Sequence, residues 1–337
     1  MTDAPMRAVL CEGWCEFDDL KLIEMPRPEM KPGHVRLKVL YAGVSFATTL
    51  VVAGRYQRKP LLPFAPGTEI AGEVIEVADG VTRCKPGDVV YGAIDWGGYA
   101  EEAVVPAVNL HVLPAGQSGG LAADAAPALA ISYPTSYGGL VWRADLQPDE
   151  WLLVHGAAGG VGLAAVEIGL ALGAKVIGVA SSTEKRAVVE SRGATAINGE
   201  DLKAQVMDIS GGGVDVVYDP VGGSVARPSI SCLKPDGRLV TIGYAGGEIP
   251  AIGFNILLVK NISVMGFNYG EYVGWGLVDR REEYAPRVDA AQKQLLDWWQ
   301  AGKIEPTVHA RFPLEQFREA MAEVQNRKAI GRVVLEL

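Results

Sequence analysis

Four glycines in one eight-residue segment are the feature of this sequence that most clearly points to chemistry. They lie in HGAAGGVG at 155–162, at positions Gly156, Gly159, Gly160 and Gly162. The strand-like run WLLV precedes them, and the small-residue run LAAVEIGLALGA that follows is typical of a helix. A glycine turn between a strand and a helix lets a pyrophosphate approach the backbone and accept hydrogen bonds from the first helical amides. The turn, with Val161, therefore predicts a dinucleotide site, although its G-x-x-G-x-x-G spacing differs from the common fingerprint and glycines also serve tight packing.

The segment SSTEKR at 181–186 indicates which dinucleotide would bind. It follows the second predicted strand of the same region, where an NAD-specific fold usually carries an acidic residue for the ribose hydroxyls. Here the hydroxyls of Ser181 and Ser182 and the cations of Lys185 and Arg186 suit a 2′-phosphate. An ordinary helix cap with solvated cations is the alternative. The segment predicts NADPH rather than NADH as the cofactor.

The predicted elements divide the 337 residues into two domains, one of them discontinuous. Residues 1–125 are β-rich, with strands such as VRLKVLYAGV and EIAGEVIEVA separated by Gly and Pro. Residues 126–268 alternate between apolar strands and helices, which predicts a doubly wound parallel sheet and an α/β fold class. Residues 269–337 contain two amphipathic helices and a last strand, GRVVLEL, that we expect to join the N-terminal β-fold. The middle segment is then the dinucleotide-binding domain, and the outer segments form the catalytic domain.

Composition and charge disfavour several classes of protein. The net charge of −9 argues against nucleic-acid binding, because an acidic surface repels phosphate backbones. The sequence has no apolar run of about 18 residues and no basic-then-apolar N-terminal segment, so we expect neither a membrane span nor a signal peptide. Cys11 and Cys15 have no second Cys or His pair to complete a zinc site, which favours reduced thiols in a cytoplasmic protein.

Longer stretches of the sequence resemble a known family. HGAAGGVGLAAVEIGLALGAKVIGVASSTEK, VDVVYDPVGG and LKPDGRLVTIGYAGG resemble the zinc-independent branch of the medium-chain dehydrogenase/reductase superfamily, in particular the ζ-crystallin-like NADPH:quinone oxidoreductases. RAVLCEG, AGVSFATTLVVAGRY, PGTEIAGEVIEV and KPGDVVYG are similar to the N-terminal domain of that family in order and spacing. The resemblance implies a GroES-like catalytic domain, a Rossmann domain, and a homodimer formed by sheet extension through ISVMGFN.

The resemblance also bears on the metal and on the reaction. Zinc-dependent members of the superfamily carry a Cys and a His at the positions of Ser45 and Thr68, and a third ligand approximately at Ile131. These side chains do not make a zinc site, so no metal is expected. Without a Lewis acid, hydride transfer from nicotinamide C4 to a quinone is the activity that the family implies. Reduction of an α,β-unsaturated carbonyl or an enoyl-CoA thioester, and a non-catalytic NADPH-binding role, are the alternatives.

Several site residues are implied by the resemblance. Tyr56, in the GRY element at 54–56, stands where related enoyl reductases have a proposed proton donor, and it is equally suited to lining the acceptor pocket. Ser45 replaces an Asn that can approach the nicotinamide ribose in many relatives, Thr48 replaces an Asp, and Gly199 replaces a Tyr near the adenine end. The further expected cofactor contacts are Thr135, Gly243, Tyr244, Ala245, Phe267, Asn268, Tyr269 and either Arg327 or Arg332. Each of these also fits ordinary loop or edge packing.

Three cations surround the candidate tyrosine in an otherwise acidic protein, namely Arg55, Arg58 and Lys59. We hypothesise that they attract an anionic substrate tail, such as the phosphates of an acyl-CoA. A solvated surface loop is the alternative.

Overall fold

The structure, a computed structural model, describes residues 5–114 and 123–337, which form two compact units. The first unit takes its described residues from Met1–Ile131, Gly270–Lys293 and Pro306–Leu337, and the second from Ser132–Tyr269 and Gln294–Glu305. The predicted domain limits after residues 125 and 268 stay a prediction. Gln294–Glu305 belongs to the second unit, whereas the sequence pattern assigned these residues to the C-terminal part of the catalytic domain.

An antiparallel sheet lies at the centre of the first unit. Its N-terminal strands are β3 (His34–Val44), β4 (Glu69–Val77), β5 (Val89–Ala93), β6 (Glu102–Pro106) and β7 (Leu110–Val112), whereas β1 (Met6–Leu10) and β2 (Lys21–Met25) pair as a separate two-stranded sheet. The helices of this segment are α1 (Phe46–Val52) and α2 (Ala126–Ala130). Along β3, Val35, Leu37 and Val39 are buried and alternate with the more exposed Arg36 and Lys38. The period of two turns one face of the strand to the core.

A parallel sheet lies at the centre of the second unit. Its strands are β8 (Trp151–Val154), β9 (Lys175–Val179), β10 (Thr195–Ile197), β11 (Val214–Asp219), β12 (Leu233–Thr241) and β13 (Ser263–Gly266). Across the sheet they lie in the order β10-β9-β8-β11-β12-β13, and neighbouring strands run parallel. Counted from β8, this is the 3-2-1-4-5-6 order of the Rossmann fold, so the predicted doubly wound α/β class is confirmed.

Helices precede and connect the parallel strands of the second unit. They are α3 (Ser132–Tyr137), α4 (Gly160–Ala171), α5 (Thr183–Ser191), α6 (Leu202–Ser210), α7 (Ala226–Cys232) and α8 (Phe254–Lys260), and a π-helical segment, Gly138–Arg143, follows α3. The strand–helix alternation from β8 to β12 agrees with the prediction. The seven-residue helix α8 is not predicted, because its short apolar run shows no helical period. Within residues 5–114 and 123–337, no helix combines the length and the apolar character that a membrane crossing requires.

The C-terminal segment completes the sheet of the first unit. It contains α9 (Arg281–Gln300), β14 (Val308–Pro313), α10 (Phe317–Gln325) and β15 (Arg332–Glu336). β15 pairs antiparallel with β3, with Val334 opposite Gly43, which confirms that the last strand joins the N-terminal β-fold. β14 pairs parallel with β15 and gives the order β14-β15-β3-β4-β5-β7, with β6 beside β3. The sequence pattern does not predict β14, whose run VHARFP is interrupted by His, Arg and Pro.

His111, in β7, makes the stability of the first unit depend on pH. Its ring lies 5.6 Å from that of Tyr91, and burial lowers its pKa to about 4 against the opposing charge of Asp289. The unfolded chain takes up this proton near pH 6.5, so the free energy of unfolding falls by up to about 3 kcal/mol from there to about pH 4. Urea unfolding at about pH 7.5 and 5 measures the loss, which His111→Phe should reduce and His309→Gln, at an exposed position, should not. An unchanged loss in His111→Phe would contradict the assignment.

Candidate functional site

The carboxyl ends of the parallel strands bring most predicted cofactor residues of the second unit to one edge of the sheet. β8 leads into the glycine turn, β9 into Ser181 and Ser182, β12 into Gly243, and β13 into Phe267. The strand order reverses between β8 and β11, and in doubly wound sheets the ligand crevice opens at that point. This edge has the position and the composition of a dinucleotide site.

The glycine turn makes separate demands on its residues. Gly156 has φ +57°, a left-handed conformation that strains other residues. Gly162 has no room for a side chain, because a Cβ there would lie 2.0 Å from the carbonyl oxygen of Gly156. Gly159 is the N-cap of α4 and, lacking a side chain, leaves the first amides of the helix to a ligand. Packing therefore requires glycine at 162, while Gly159 keeps the helix N-terminus open.

Buried polar residues stabilise the segments beside this turn. The Asp219 carboxylate at the end of β11 accepts hydrogen bonds from the amides of Val221 and Gly222, at 2.8 and 2.9 Å. The His155 ring, directly before the turn, lies 2.6 Å from the hydroxyl of Ser229, and burial lowers the pKa of this histidine. None of these polar residues was predicted from the sequence. An Asp that ends a buried strand and a His beside a glycine turn are the signals that could have found them.

Helix α3 is bonded to the first turn of α4. The Ser136 hydroxyl donates to the carbonyl oxygen of Val161 at 2.7 Å. The Tyr218 hydroxyl lies 2.8 Å from the Ser136 hydroxyl. Thr135, the neighbouring residue in α3, is buried. The contact places the helix that carries Thr135 beside the helix that follows the glycine turn.

The segment after β9 forms a helix cap. The Ser182 hydroxyl accepts a hydrogen bond from the amide of Lys185 at 3.2 Å, and burial lowers the pKa of this lysine. The Arg186 guanidinium donates to the carbonyl oxygens of Ala180 and Ser181, at 3.2 and 3.1 Å. The helix cap that was the alternative to a 2′-phosphate site is thus present. Ser181 and Ser182 are exposed, and they and Lys185 lie in the segment directly after β9, where a 2′-phosphate site is expected.

The loop after β12 is hydrogen-bonded to the loop after β11. The amide of Ala245 donates to the carbonyl oxygen of Pro220 at 3.1 Å, and that of Gly246 donates to Val221 at 2.8 Å. Tyr244 leaves 40% of its surface exposed. Gly243, Tyr244 and Ala245 therefore lie at the same strand edge as the glycine turn.

Phe267 has a packing role in the second unit. A Cβ on Gly138 would lie 2.2 Å from its ring, and the Trp142 ring meets it edge-on at 6.2 Å between centroids. Tyr269 is buried as well, whereas Asn268 is exposed. Of the three predicted residues after β13, Asn268 presents the most accessible surface.

Ser45 and Tyr56 lie in the first unit. Ser45 is the N-cap of α1, where its hydroxyl accepts from the amide of Thr48 at 3.3 Å and lies 3.0 Å from the Thr48 hydroxyl. Tyr56 packs against the apolar core of this unit, and burial raises the pKa of its phenol against the influence of Gln57 and Arg58. A raised pKa makes the phenol a weaker acid, which favours a lining role for Tyr56 over proton donation.

The three cations around Tyr56 already have protein partners. Arg55 forms an ion pair with Glu16 at 2.6 Å. Arg58 bonds to Asp95 at 2.9 Å and stacks on the Trp96 ring, and the Lys59 ammonium lies 5.8 Å from the centre of the Trp14 ring. Asp95 also accepts hydrogen bonds from Arg281, the first residue of α9. These pairings weaken the hypothesis that the loop attracts an anionic substrate tail.

The two arginines suggested near the cofactor differ in environment. Arg332 is buried in the first unit and forms an ion pair with the buried Glu69, and burial lowers its pKa to about 10. Arg327 is exposed, with φ +56°, just after α10. The charge of Arg332 is thus paired with Glu69 inside the first unit. The cofactor contacts of Arg332 and Arg327 stay predictions.

The side chains present bear on metal binding. In the described part of the chain, no group of three or more His, Cys, Asp and Glu residues is arranged to hold a metal ion. The hydroxyls of Ser45 and Thr68 occupy two of the positions that zinc enzymes use for ligands. The metal-free expectation stays a prediction that these side chains support.

Known proteins share this architecture. Residues 31–115 match the alcohol dehydrogenase GroES-like domain, and residues 160–289 match the zinc-binding dehydrogenase family. The chain is 41% identical to the quinone oxidoreductase-like protein 2 homolog of Nematostella vectensis, over 98% of this chain and 88% of that protein. It is 38% identical to quinone oxidoreductase-like protein 2 of Bos taurus, over 98% and 92%. The structure of Escherichia coli quinone oxidoreductase complexed with NADPH superimposes with a TM-score of 0.88 and 28% identity, over 98% of this chain and 100% of that one.

A Rossmann sheet with a glycine-turn site and a GroES-like β-fold together define an oxidoreductase of the dehydrogenase type. The chain belongs to the medium-chain dehydrogenase/reductase family, in its quinone oxidoreductase-like branch. The resemblance stated from sequence and the GroES-like expectation are confirmed.

Proposed function

We propose that the protein is an NADPH-dependent reductase that transfers hydride to a quinone. The observation that carries this proposal is the glycine turn at the switch point of the Rossmann sheet, with a hydroxyl and cation segment at the end of the next strand. A quinone accepts hydride without a metal ion to polarise it, which suits a chain with Ser45 and Thr68 at the ligand positions. The relatives' description as quinone oxidoreductase-like and the NADPH complex of the E. coli enzyme support the same function.

The residues of the second unit would bind and orient the cofactor. Bound NADPH supplies hydride from C4 of its nicotinamide. The amides of Gly160–Gly162 would hold the pyrophosphate at the positive end of α4. Ser181, Ser182 and Lys185 would bind the 2′-phosphate, and Arg186 would keep this segment in shape through its bonds to the backbone. Thr135, the loop at 243–245 and Asn268 would orient the nicotinamide.

Purified protein should oxidise NADPH with a para-quinone, and faster than it oxidises NADH. Absorbance at about 340 nm follows the reaction, with crotonyl-CoA as the second acceptor. Because the raised pKa of Tyr56 makes it a poor acid, Tyr56→Phe should lower kcat by less than tenfold and act mainly on the KM of the acceptor. A loss of about 100-fold in kcat would make Tyr56 the proton donor. Absence of quinone turnover would contradict the proposed function.

Two other functions are outcomes of the same assay. Preference for crotonyl-CoA would indicate an enoyl reductase, which the pairing of Arg58 with Asp95 disfavours. NADPH binding without turnover of either acceptor would indicate a non-catalytic binding protein.

A cytoplasmic location is proposed as well, because free cysteines such as Cys11, Cys84 and Cys232 suit a reducing compartment.

We also propose a homodimer through the edge of the parallel sheet. Among the described residues, β13 pairs only with β12, which leaves its outer edge open to a second copy of the chain. Large apolar side chains stand exposed on the preceding segment, namely Ile249 at 72%, Phe254 at 85%, Leu258 at 79% and Val259 at 76%. An exposed apolar patch beside an open strand is typical of an interface between copies.

The charge of one residue on α8 should decide whether this dimer forms. Leu258→Glu places a carboxylate in the apolar patch and should convert a dimer to a monomer in size-exclusion chromatography with light scattering. Met207→Glu, at an exposed apolar residue on α6, is the control and should leave the mass unchanged. A dimeric Leu258→Glu variant would exclude this surface as the interface.

A further inference from the structure

Helix α4 carries a buried carboxylate. Glu167 lies in the middle of the helix that begins at the glycine turn, and 2% of its surface is exposed. A buried charge is costly unless it is paired and hydrogen-bonded. The groups that pair with the Glu167 carboxylate therefore indicate its structural role.

Three neighbours from different segments of the second unit compensate Glu167. The Tyr133 hydroxyl of α3 donates to its Oε2 at 2.7 Å, and the backbone amide of Glu305 donates to the same oxygen at 2.8 Å. Arg192, the C-cap of α5, brings its Nε within 2.8 Å of Oε1. Arg192 also forms an ion pair with the Glu305 carboxylate at 2.7 Å. One carboxyl group thus joins α3, α4 and the end of α5.

Each joined helix carries part of the candidate NADPH site. α3 carries Thr135, α4 begins at Gly159–Gly162, and α5 begins with the Ser182 cap and Lys185. We propose that Glu167 is a positioning residue of this site: its charge holds α3 and the end of α5 against α4, and its neutralisation loosens the grip on the cofactor. The inference rests on the proposed NADPH-binding function.

The charge of Glu167 changes in the neutral pH range. Burial raises its pKa to about 7, while the hydrogen bonds from Tyr133 and the Glu305 amide and the charge of Arg192 oppose this effect. The groups that face it are thus the Tyr133 phenol, the Arg192 guanidinium and the backbone and carboxylate of Glu305. The ionised form keeps the ion pair with Arg192 and both hydrogen bonds, whereas the protonated form loses the ion pair. NADPH should therefore bind more tightly above about pH 7 than below it.

Fluorescence titration of NADPH from about pH 6 to 8.5 tests the inference. The Kd of the wild-type protein should rise about fivefold toward the acid end, beyond the slope that the titrating 2′-phosphate gives to every variant. Glu167→Gln keeps the size of the side chain and removes its charge, so its Kd should exceed the wild-type value at the alkaline end, match it at the acid end, and change with pH by the shared slope alone. Glu190→Gln, at an exposed carboxylate on α5, is the matched control and should follow the wild type.

Tyr133→Phe provides a second, milder test. It removes a hydrogen bond that lowers the pKa of Glu167, so the midpoint of the Kd profile should move to higher pH. A pH dependence of the Kd in Glu167→Gln as steep as that of the wild type, or an unmoved midpoint in Tyr133→Phe, would overturn the inference while leaving the proposed function intact. Tighter NADPH binding at acid pH would overturn it as well. Failure of the wild-type protein to bind NADPH at any pH would overturn the proposed function and, with it, this inference.

Discussion

Gly162→Ala is expected to abolish NADPH binding and to lower the free energy of unfolding by about 3 kcal/mol. A Cβ at this position would lie 2.0 Å from the carbonyl oxygen of Gly156, 2.7 Å from its carbon and 3.0 Å from the Cα of Ala157. All three are backbone atoms, so the clash can be relieved only by moving the turn itself. A displaced turn would misdirect the first amides of α4, which the pyrophosphate is proposed to bind.

Gly159→Ala is the matched control for this substitution. Gly159 has φ −81°, and a Cβ there would lie 3.4 Å from the carbonyl oxygen of Gly156, which is an ordinary contact. The free energy of unfolding should therefore fall by no more than about 1 kcal/mol. The added methyl group would occupy the approach to the helix N-terminus, so NADPH affinity should fall about tenfold. Urea unfolding and NADPH titration of both variants separate packing from ligand approach, and wild-type values for Gly162→Ala would refute the packing argument.

Arg332→Met should destabilise the first unit by about 4 kcal/mol. The substitution leaves the carboxylate of Glu69, which is 1% exposed, buried without its cation. The double variant Glu69→Gln with Arg332→Met removes both charges and should recover most of the loss, since an apolar or neutral pair carries no uncompensated charge. Urea unfolding of the single and double variants measures the coupling between the two side chains.

The same variants address the cofactor contact suggested for Arg332. If Arg332 serves only the ion pair with Glu69, the free energy of unfolding should be low in Arg332→Met and should recover in the double variant. Wild-type stability of Arg332→Met, combined with weakened NADPH binding, would contradict the structural role and favour a cofactor contact. Arg327→Met, at the exposed alternative position, serves as the comparison for NADPH affinity.

Local patterns predicted those parts of the molecule that depend on local sequence. The glycine turn and the strand–helix alternation from β8 to β12 are visible because apolar periodicity and backbone freedom are properties of neighbouring residues. The return of β15 to β3 followed from a strand that had no helical partner. Short elements such as α1 and α8 were not predicted, because seven residues contain too few turns to show a helical period.

Long-range electrostatics could not be read from the sequence. The loop with Arg58 appeared basic because its partner, Asp95, lies 37 residues away along the chain. Glu167 and Arg192 likewise appear as ordinary helix residues until the fold brings them within 2.8 Å of each other. Pairing removes a charge from the set available to a ligand, and only tertiary structure reveals it. The position of the candidate site along the sheet edge was therefore easier to predict from the sequence than the roles of its individual cations.

The position of β15 has a consequence for biosynthesis. This strand is the neighbour of both β3 and β14, and it pairs Val334 with Gly43 from the opposite end of the chain. The first sheet can therefore close only after residues 332–336 have left the ribosome, whereas the parallel strands between residues 151 and 266 can pair before that point. Throughout that interval residues 41–44 of β3, which β6 does not cover, expose amides and carbonyls without a partner strand, and this short edge is open to pairing with the wrong strand.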